Sequence, residues 1–416
     1  MTDHAARIHR RPALLATLAC VFSLTLVGCG KSSDETTTAT PAAATAEQAS
    51  APAPATPLPA PPQLKVRSFI VLDHDSGRVL AAMDPDSRQE PASLTKLMTA
   101  YVVFHALKQG RIKLDDLVTV SENAWRQASP KLGGSAMYIE VGKQVSVENL
   151  VQGMIVQSGN DATVALAEHV AGTESAFVQM MNGFAKQLGL TGTHFVDAAG
   201  MPDAEQYITA RDAALLASAL IHEYPEYYRW YSQKEFTWNG ITQQNRNGLL
   251  WRDPTVDGVK TGHTSTAGYN LISSAKRNDM RLVSVVLGSE SMRAREDASS
   301  ALLNYGFNFF ETRRVYAAGQ PLAKVHVWKA DEPEVGLALQ RDLFVTGQRG
   351  HMGRVNAELD IPDPLYAPLS RTKPAGKARI VVDGATIASH DLFPVADVAE
   401  GGIFRRGIDT VKLWFH

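Results

Sequence analysis

The sequence predicts an α+β fold in which one antiparallel sheet lies beside a cluster of helices. Apolar residues recur at helical spacing over 94–107, 145–169, 174–188 and 210–222. Apolar and polar residues instead alternate, as they do in strands, over 256–262, 269–275 and 281–288. Short strand-like runs fill much of 313–398, which indicates a small all-β domain after the sheet. An amphipathic helix is predicted at the C-terminus.

The first predicted element is a hairpin. The runs 66–73 and 78–82 are short, apolar and rich in β-branched residues. The four residues between them, His74-Asp75-Ser76-Gly77, are of the polar and glycine-containing kind that forms turns. This hairpin should join the three later strands in the antiparallel sheet.

The first predicted helix places a candidate nucleophile and a candidate base one turn apart. Pro91 lies just before this helix and Gly110 just after it, so Ser93 lies at its N-terminus. The i, i+3 relation puts Lys96 on the same face as Ser93, and the unpaired N–H groups of the first turn can stabilise an oxyanion. Lysine acts as a base near neutral pH only where burial or a nearby cation lowers its pKa. Ser-x-x-Lys also occurs by chance, so the hypothesis needs further motifs.

Two further motifs follow in chain order, Ser158-Gly159-Asn160 and Lys260-Thr261-Gly262. The series S-x-x-K, S-x-N and K-T-G is typical of the penicillin-recognising serine acyl enzymes. The longer segments 91–96, 157–162, 245–251 and 256–264 resemble the D-alanyl-D-alanine carboxypeptidases, the low-molecular-mass penicillin-binding proteins of the type-5 group. The resemblance extends from about Val66 to the C-terminus, and it implies the same α+β arrangement, with the active site between sheet and helices.

The resemblance implies catalytic roles for Ser93, Lys96 and Ser158. Ser93 would attack the carbonyl of the penultimate D-alanine, while Lys96, held near the ammonium of Lys260, would take the hydroxyl proton. Ser158 would bridge the two lysines and pass the proton to the leaving D-alanine amine. The implied activity is removal of the terminal D-alanine from peptidoglycan pentapeptide stems through an acyl-enzyme, without a cofactor. β-Lactams would acylate Ser93 covalently.

The resemblance also implies seven substrate-binding residues, which are Asn160, Arg246, Lys260, Thr261, Gly262, His263 and Arg295. Asn160 would bind a substrate amide. The charge of Lys260 and the hydroxyl of Thr261 would hold the terminal carboxylate, and Arg295 would support that contact.

The resemblance implies separate roles for the other three residues, which are His263, Gly262 and Arg246. The backbone N–H groups of Ser93 and His263 would form the oxyanion hole. Gly262 would let the substrate backbone approach the strand closely, although a glycine at a strand end is also a common structural feature. Arg246 matches a second family arginine at the site mouth, and a solvated surface arginine is the alternative.

Two other functions are compatible with these three motifs. A β-lactamase shares them but needs an additional carboxylate to deliver the deacylating water. Glu235 and Asn239 have Glu-x-x-x-Asn spacing, yet they lie in a strand-like run late in the domain, so we interpret Glu235 as a surface residue. A non-catalytic penicillin-sensing or wall-binding protein is disfavoured because every catalytic position follows the pattern.

Composition excludes several classes of protein. The chain has 416 residues, of which 44% are hydrophobic, enough for two or three domains. A formal net charge of −2 argues against a nucleic-acid partner. Cys20 and Cys29 are the two cysteines, so the folded part has neither a disulfide nor a thiolate metal site. The histidines form no His-Glu-x-x-His motif, so we predict no metal and no zinc carboxypeptidase.

The N-terminus has the pattern of an export signal. Basic residues precede the apolar run 13–27, which is short for a membrane span. Leu26-Val27-Gly28-Cys29 resembles a bacterial lipobox, which predicts a signal peptide over 1–29 and lipidation of Cys29. An ordinary signal peptide cleaved later is the alternative. Residues 30–65 are rich in Ala, Thr and Pro and should form a tether.

The remaining chain is divided into a catalytic domain over 66–312, a β-domain over 313–398 and a terminal helix over 399–416. The β-domain contains no nucleophile, base or ligand cluster in its sequence, and its clearest hairpin spans 379–390 and turns at Asp383-Gly384. The resemblance implies that it spaces the enzyme from a membrane or meets partners.

The terminal helix is predicted to be amphipathic. One face carries Phe404, Ile408, Val411, Trp414 and Phe415, and the other is charged. It resembles the family's membrane anchor, and a helix docked on its own domain is the alternative. The terminal helix and Cys29 together predict an exported protein attached at the periplasmic face of the inner membrane, with the outer membrane as the alternative. The predicted partners are stem peptides, β-lactams and the membrane surface.

Overall fold

The computed structural model describes residues 57–129, 131 and 134–415. The predicted signal peptide, Cys29 and most of the tether lie outside the described residues. The helices are α1 (Lys96–Lys108), α2 (Glu122–Arg126), α3 (Val147–Gln152), α4 (Asn160–Ala171), α5 (Glu174–Gln187), α6 (Ala210–Glu223), α7 (Pro225–Tyr228), α8 (Leu249–Arg252), α9 (Met292–Phe309) and α10 (Ile403–Lys412).

The strands of the catalytic part are β1 (Ser68–Asp73), β2 (Val79–Met83), β3 (Leu117–Thr119), β4 (Gln144–Ser146), β5 (Glu235–Trp238), β6 (Ile241–Gln244), β7 (Val256–Thr264), β8 (Gly268–Arg277) and β9 (Met280–Ser289). Those that follow α9 are β10 (Phe310–Tyr316), β11 (Pro321–His326), β12 (Glu334–Ala338), β13 (Leu343–Gln348), β14 (Val355–Asp360), β15 (Gly376–Val382) and β16 (Ala385–Pro394). The α+β class is therefore confirmed.

A five-stranded antiparallel sheet in the order β2-β1-β9-β8-β7 organises the catalytic part. Alternate residues of β1 face opposite sides of the sheet. Ile70 and Leu72 pack into the core formed with α1 and α4 to α6, whereas Phe69 and Val71 pack into the core formed with α9. Because both faces are covered, the central strands are apolar on both sides.

The predicted helix over 145–169 is wrong as a single element. The chain instead forms strand β4, helix α3 and a π turn over Gly153–Gln157, and it breaks before α4. Ser158 has φ +60°, in the left-handed region, and Gly159 is the N-cap of α4. The break turns the S-x-N motif out of the helical repeat and toward the sheet.

The C-terminal part has its own hydrophobic core and a five-stranded sheet in the order β11-β12-β16-β15-β14. The predicted hairpin is β15 and β16, with the turn at Asp383-Gly384. A separate ribbon, β10 with β13, begins where α9 ends and connects the two parts. Within the ranges described, no helix combines the length and the apolar character needed to cross a bilayer.

Candidate active site

The turn that carries Ser93 precedes α1. Residues Ala92–Thr95 form one 3-10 turn, and Lys96 begins α1 directly after it. Ser93 is partly exposed, whereas Ala92, Leu94 and Thr95 are buried on either side of it. The apolar neighbours therefore fix the turn in the core, and the hydroxyl of Ser93 points into an open cavity of about 290 Å³.

The side chain of Lys96 is almost fully buried, at 1% exposure, and is held by three acceptors. Its Nζ lies 3.1 Å from Ser93 Oγ, 2.7 Å from Asn160 Oδ1 and 2.6 Å from the carbonyl oxygen of Ala199. The predicted i, i+3 contact between Ser93 and Lys96 is confirmed by the first of these distances. The hydrogen bonds place the amine within reach of the hydroxyl proton.

Burial gives Lys96 the properties of a base. Loss of solvation lowers the pKa of Lys96 to about 7, and the positive charge of Arg246 acts in the same direction. Asp197 and Asp161 oppose the change, because their negative charges favour the ammonium. A substantial fraction of Lys96 is therefore neutral near physiological pH, as a general base requires.

The second motif contacts the third. Lys260 Nζ, on β7, donates to Ser158 Oγ at 2.9 Å and to the Thr261 carbonyl at 3.0 Å. Burial and the nearby charge of Lys96 both lower the pKa of Lys260. We expected Ser158 to bridge the two lysines, whereas the structure joins Ser158 to Lys260 and joins Lys96 to Asn160.

Gly262 has a different neighbour from the one expected. We predicted that it makes room for the substrate backbone, but a Cβ there would lie 2.8 Å from the Pro91 carbonyl oxygen and 3.3 Å from Ala92 Cβ. The glycine therefore lets β7 approach the turn that carries Ser93. That close approach brings the K-T-G strand against the nucleophile.

Arg295 lies in the first turns of α9, 2% exposed, behind β7. It donates to the Arg246 carbonyl at 3.0 Å and makes longer contacts of 3.5 Å with the carbonyls of Gly262 and Asn270. Burial lowers its pKa to about 10. Arg246 itself is exposed and donates to Ser135 Oγ at the cavity mouth.

Two of the other predicted residues line the cavity. Asn160 and His263 line it together with Ser93. The ring of His263 is exposed and stacks on Tyr269, with ring centroids 4.0 Å apart. Thr261 is buried on β7. A larger cavity of about 980 Å³ lies elsewhere, between the β1–β2 turn and strands β13 and β16, away from the three motifs.

Three supporting groups were missed by the sequence reasoning. The Ala199 carbonyl contacts the base directly. Asp161 accepts the backbone N–H groups of Met137, Tyr138 and Ile139 at 2.7 to 3.1 Å and so fixes the loop over the cavity. Asn270 donates to the Glu90 carbonyl at 3.1 Å, tying the segment before Ser93 to β8. Asp161 could have been found from the sequence, because it directly follows Asn160 of the second motif. The Ala199 carbonyl could not, because a backbone group leaves no trace in residue identity.

Comparison with protein families gives two matches. Residues 55–291 match the D-alanyl-D-alanine carboxypeptidase family. Residues 310–400 match the C-terminal domain of penicillin-binding protein 5. The first match contains the three motifs, and the second contains the separate β-sheet.

Individual relatives agree with these matches. The D-alanyl-D-alanine carboxypeptidase DacA of Escherichia coli strain K12 is 44% identical over 358 residues, covering 85% of this chain and 89% of the relative. Penicillin binding protein 5 from Haemophilus influenzae has a TM-score of 0.75 at 45% identity, covering 82% of this chain and 99% of that one. Penicillin-Binding Protein D2 from Listeria monocytogenes, solved with ampicillin bound, has a TM-score of 0.54 at 30% identity, covering 60% of this chain and 100% of that one.

Proposed function

Because this chain belongs to the D-alanyl-D-alanine carboxypeptidase family of serine peptidases, we propose that it removes the terminal D-alanine of peptidoglycan pentapeptide stems with Ser93 as nucleophile. The observation that carries the proposal is the buried Lys96 amine, 3.1 Å from Ser93 Oγ, with a pKa of about 7. A base of that kind beside a serine at an open cavity suits acyl transfer.

The reaction begins with a neutral Lys96. Ser93 Oγ forms a bond to the carbonyl carbon of the penultimate D-alanine as its proton moves to Lys96 Nζ. The oxyanion is stabilised by backbone N–H groups at Ser93 and His263. The C–N bond then breaks as the Ser158 hydroxyl, which Lys260 contacts at 2.9 Å, gives its proton to the leaving amine, and the proton that Lys96 took from Ser93 replaces it on Ser158. Water hydrolyses the acyl-enzyme and releases the shortened stem.

The charges of the site suit an anionic substrate. Lys260 and Arg295 are both buried, and within 57–129, 131 and 134–415 neither forms an ion pair with a carboxylate. A buried cation without a counter-ion is costly, and a substrate carboxylate would remove that cost while raising the pKa of Lys260 again. We assign Lys260 and the Thr261 hydroxyl to direct contact with the carboxylate. Arg295 lies behind them, and Arg246 lies at the mouth.

We expect amidation of the terminal carboxyl group to slow D-alanine release by roughly 10- to 100-fold, because a charge-assisted contact is lost. Diacyl-Lys-D-Ala-D-Ala and its C-terminal amide are compared by initial rates with purified enzyme. A change of the acyl groups on lysine, at the other end of the substrate, is the control. Equal rates for acid and amide would contradict the carboxylate assignment. Cross-linked product without free shortened peptide, in the presence of an amino acceptor, would contradict the hydrolase.

The structure favours the carboxypeptidase over the β-lactamase alternative. Glu235 is exposed on strand β5 of a two-stranded hairpin, as its sequence position indicated. It does not line the cavity that contains Ser93. Among the described residues that line this cavity, none is a carboxylate that could deliver water, so a penicilloyl group on Ser93 should persist and β-lactams should act as covalent inhibitors.

We also propose attachment to a membrane from the periplasmic side, through α10 and a lipidated Cys29. Helix α10 contacts the β-domain with its polar side, since Asp409 accepts the Lys329 N–H at 2.8 Å and Arg405 donates to the Asp331 carbonyl at 2.6 Å. Its apolar residues point outward, with Phe404 90% exposed, and Trp414, just after the helix, is 78% exposed. An outward apolar face on a docked helix suits the membrane interface. The division at 312 and 398 is part of the same proposal.

Fractionation of three variants tests the two anchors. We expect Cys29→Ser and a chain ending before Gly402 each to stay with membranes, and their combination to be released. Phe404→Ser with Trp414→Ser removes apolar side chains but keeps the Asp409 contact, so it should behave as the truncation does. Release by Cys29→Ser alone would contradict the helix anchor. Release by the truncation alone would contradict lipidation of Cys29.

A further inference from the structure

The carboxylate of Asp197 folds a tight loop beside the base. Its Oδ1 accepts the backbone N–H groups of Ala199 at 2.6 Å and Gly200 at 2.5 Å, and its Oδ2 accepts that of Met201 at 3.0 Å. The Gln206 side chain donates to the same Oδ2 at 2.9 Å and to the Met201 carbonyl at 2.8 Å. One side chain therefore satisfies three consecutive backbone donors and defines the path of the loop.

This loop presents two consecutive carbonyl groups to helix α1. The Ala199 carbonyl accepts from Lys96 Nζ at 2.6 Å, and the Ala198 carbonyl accepts from Thr99 Oγ1 at 2.7 Å. Lys96 and Thr99 are one helical turn apart, so the loop contacts the face of α1 that carries the base. Gly200 allows the approach, because it has φ +92° and a Cβ there would overlap the Ala92 carbonyl.

We propose that Asp197 is a positioning residue for the general base, because it holds the Ala199 carbonyl against Lys96 Nζ and directs the amine toward Ser93. The inference rests on the proposed function, in which Lys96 deprotonates Ser93. Asp197 contacts the backbone N–H groups of the Ala199 loop and acts through that loop. It is not a catalytic residue.

The charge of Asp197 also affects Lys96. Burial is the largest influence and lowers the pKa of Lys96, and Asp197 is the strongest influence in the opposite direction. The other charged groups facing Lys96 are Asp161 on α4, Arg246 and Lys260. Glu174 on α5, which accepts the Ala198 N–H at 3.1 Å, faces Asp197. All four remain when Asp197 alone is changed.

Asparagine at position 197 should disturb both effects. Its amide nitrogen would meet the N–H groups that one carboxylate oxygen now accepts, so part of the loop would lose its acceptor. The Ala199 carbonyl would move away from the amine, and the negative charge would be gone. Both changes disfavour the ammonium form of Lys96. Since neutral Lys96 is the active form, the rise of the acylation rate with pH should move to lower pH.

The test is the second-order rate of acylation by a fluorescent penicillin, measured against pH. We expect Asp197→Asn to lower the acylation rate on its high-pH plateau by roughly 10- to 100-fold, because the base is misplaced. The acid limb, which is the rise of the rate from low pH to that plateau, should move to lower pH by roughly one unit. Asp212→Asn is the matched control. Asp212 is a buried carboxylate that accepts Gly192 N–H at 2.8 Å and Thr193 Oγ1 at 2.7 Å, so it should lose stability without a shift of the limb.

Asp197→Glu separates geometry from charge. The longer side chain keeps the charge but cannot keep all three N–H contacts, so the rate should fall by roughly tenfold with the acid limb unmoved. A wild-type rate from this variant would overturn the positioning role, even if Asp197→Asn does not fold. The role would also be overturned if Asp197→Asn lowered the acylation rate equally at every pH, left the pH of the rise unchanged and lowered Tm as much as Asp212→Asn does. Labelling that survives Ser93→Ala would instead overturn the proposed nucleophile.

Discussion

Ser93→Ala should abolish covalent labelling by fluorescent penicillin and lower D-alanine release by at least roughly 10⁴-fold, as expected when a nucleophile is removed. The hydroxyl is the group that forms the acyl bond, and its removal leaves Lys96 Nζ, which lies 3.1 Å from Ser93 Oγ in the wild type, with no hydroxyl to deprotonate. Labelling is read on a denaturing gel, and D-alanine release is measured with the diacyl tripeptide. The fold should survive because Ser93 is partly exposed and its turn is held by buried neighbours.

Ser232→Ala is the matched control. This serine is exposed in the 3-10 turn Arg229–Ser232, and its hydroxyl donates only to the Arg229 carbonyl at 2.8 Å. Its removal should leave labelling unchanged. Labelling of Ser93→Ala at another side chain, located by mass spectrometry of the adduct, would contradict the assignment of Ser93.

The contact between Ser93 and Lys96 could be predicted because it is local. Residues i and i+3 of a helix share a face whatever surrounds them, and the structure confirms the contact at 3.1 Å. The same holds for the strands β7, β8 and β9, which the alternation of apolar and polar residues indicated in the sequence. Their adjacency followed from short connections.

The contacts of Lys96 with Ala199 and of Lys260 with Ser158 join residues about a hundred positions apart. Motif order predicted that the second pair would meet, but the division of partners between the two lysines depends on the left-handed Ser158 and on the break before α4. The Ala199 carbonyl belongs to the backbone, so residue identity gives no indication of it. A continuous apolar pattern over 145–169 hid the break, although Gly159 was a signal for it.

In the β-domain, the sequence identified strands better than pairings. The β15–β16 hairpin is local and was predicted from its turn. By contrast, β10 pairs with β13 and β12 pairs with β16, across intervening strands. Such pairings depend on which surfaces can be buried together, and a single strand pattern does not encode them.

Replacement of the base should have an effect nearly as large as replacement of the nucleophile. In the wild-type enzyme we expect the acylation rate to rise through pH 7, since the pKa of Lys96 is about 7 and the neutral amine is the active form. Below that pH the rate should fall roughly tenfold per unit, as for a single essential base. Lys96→Met fills a similar volume without an amine, and it should lower acylation by roughly 10²- to 10⁴-fold and remove the acid limb.

Lys108→Met is the control on the same helix, because its exposed ammonium donates to the Glu223 carbonyl at 2.7 Å and lies at the far end of α1 from Ser93. It should keep the wild-type rate and pH profile. Lys96→Met leaves Asn160 Oδ1 and the Ala199 carbonyl without their donor, which costs about 1–3 kcal/mol each, so Tm is measured for both variants. A folded Lys96→Met enzyme that retains the rise through pH 7 would show that another group, for which the buried Lys260 is a candidate, deprotonates Ser93.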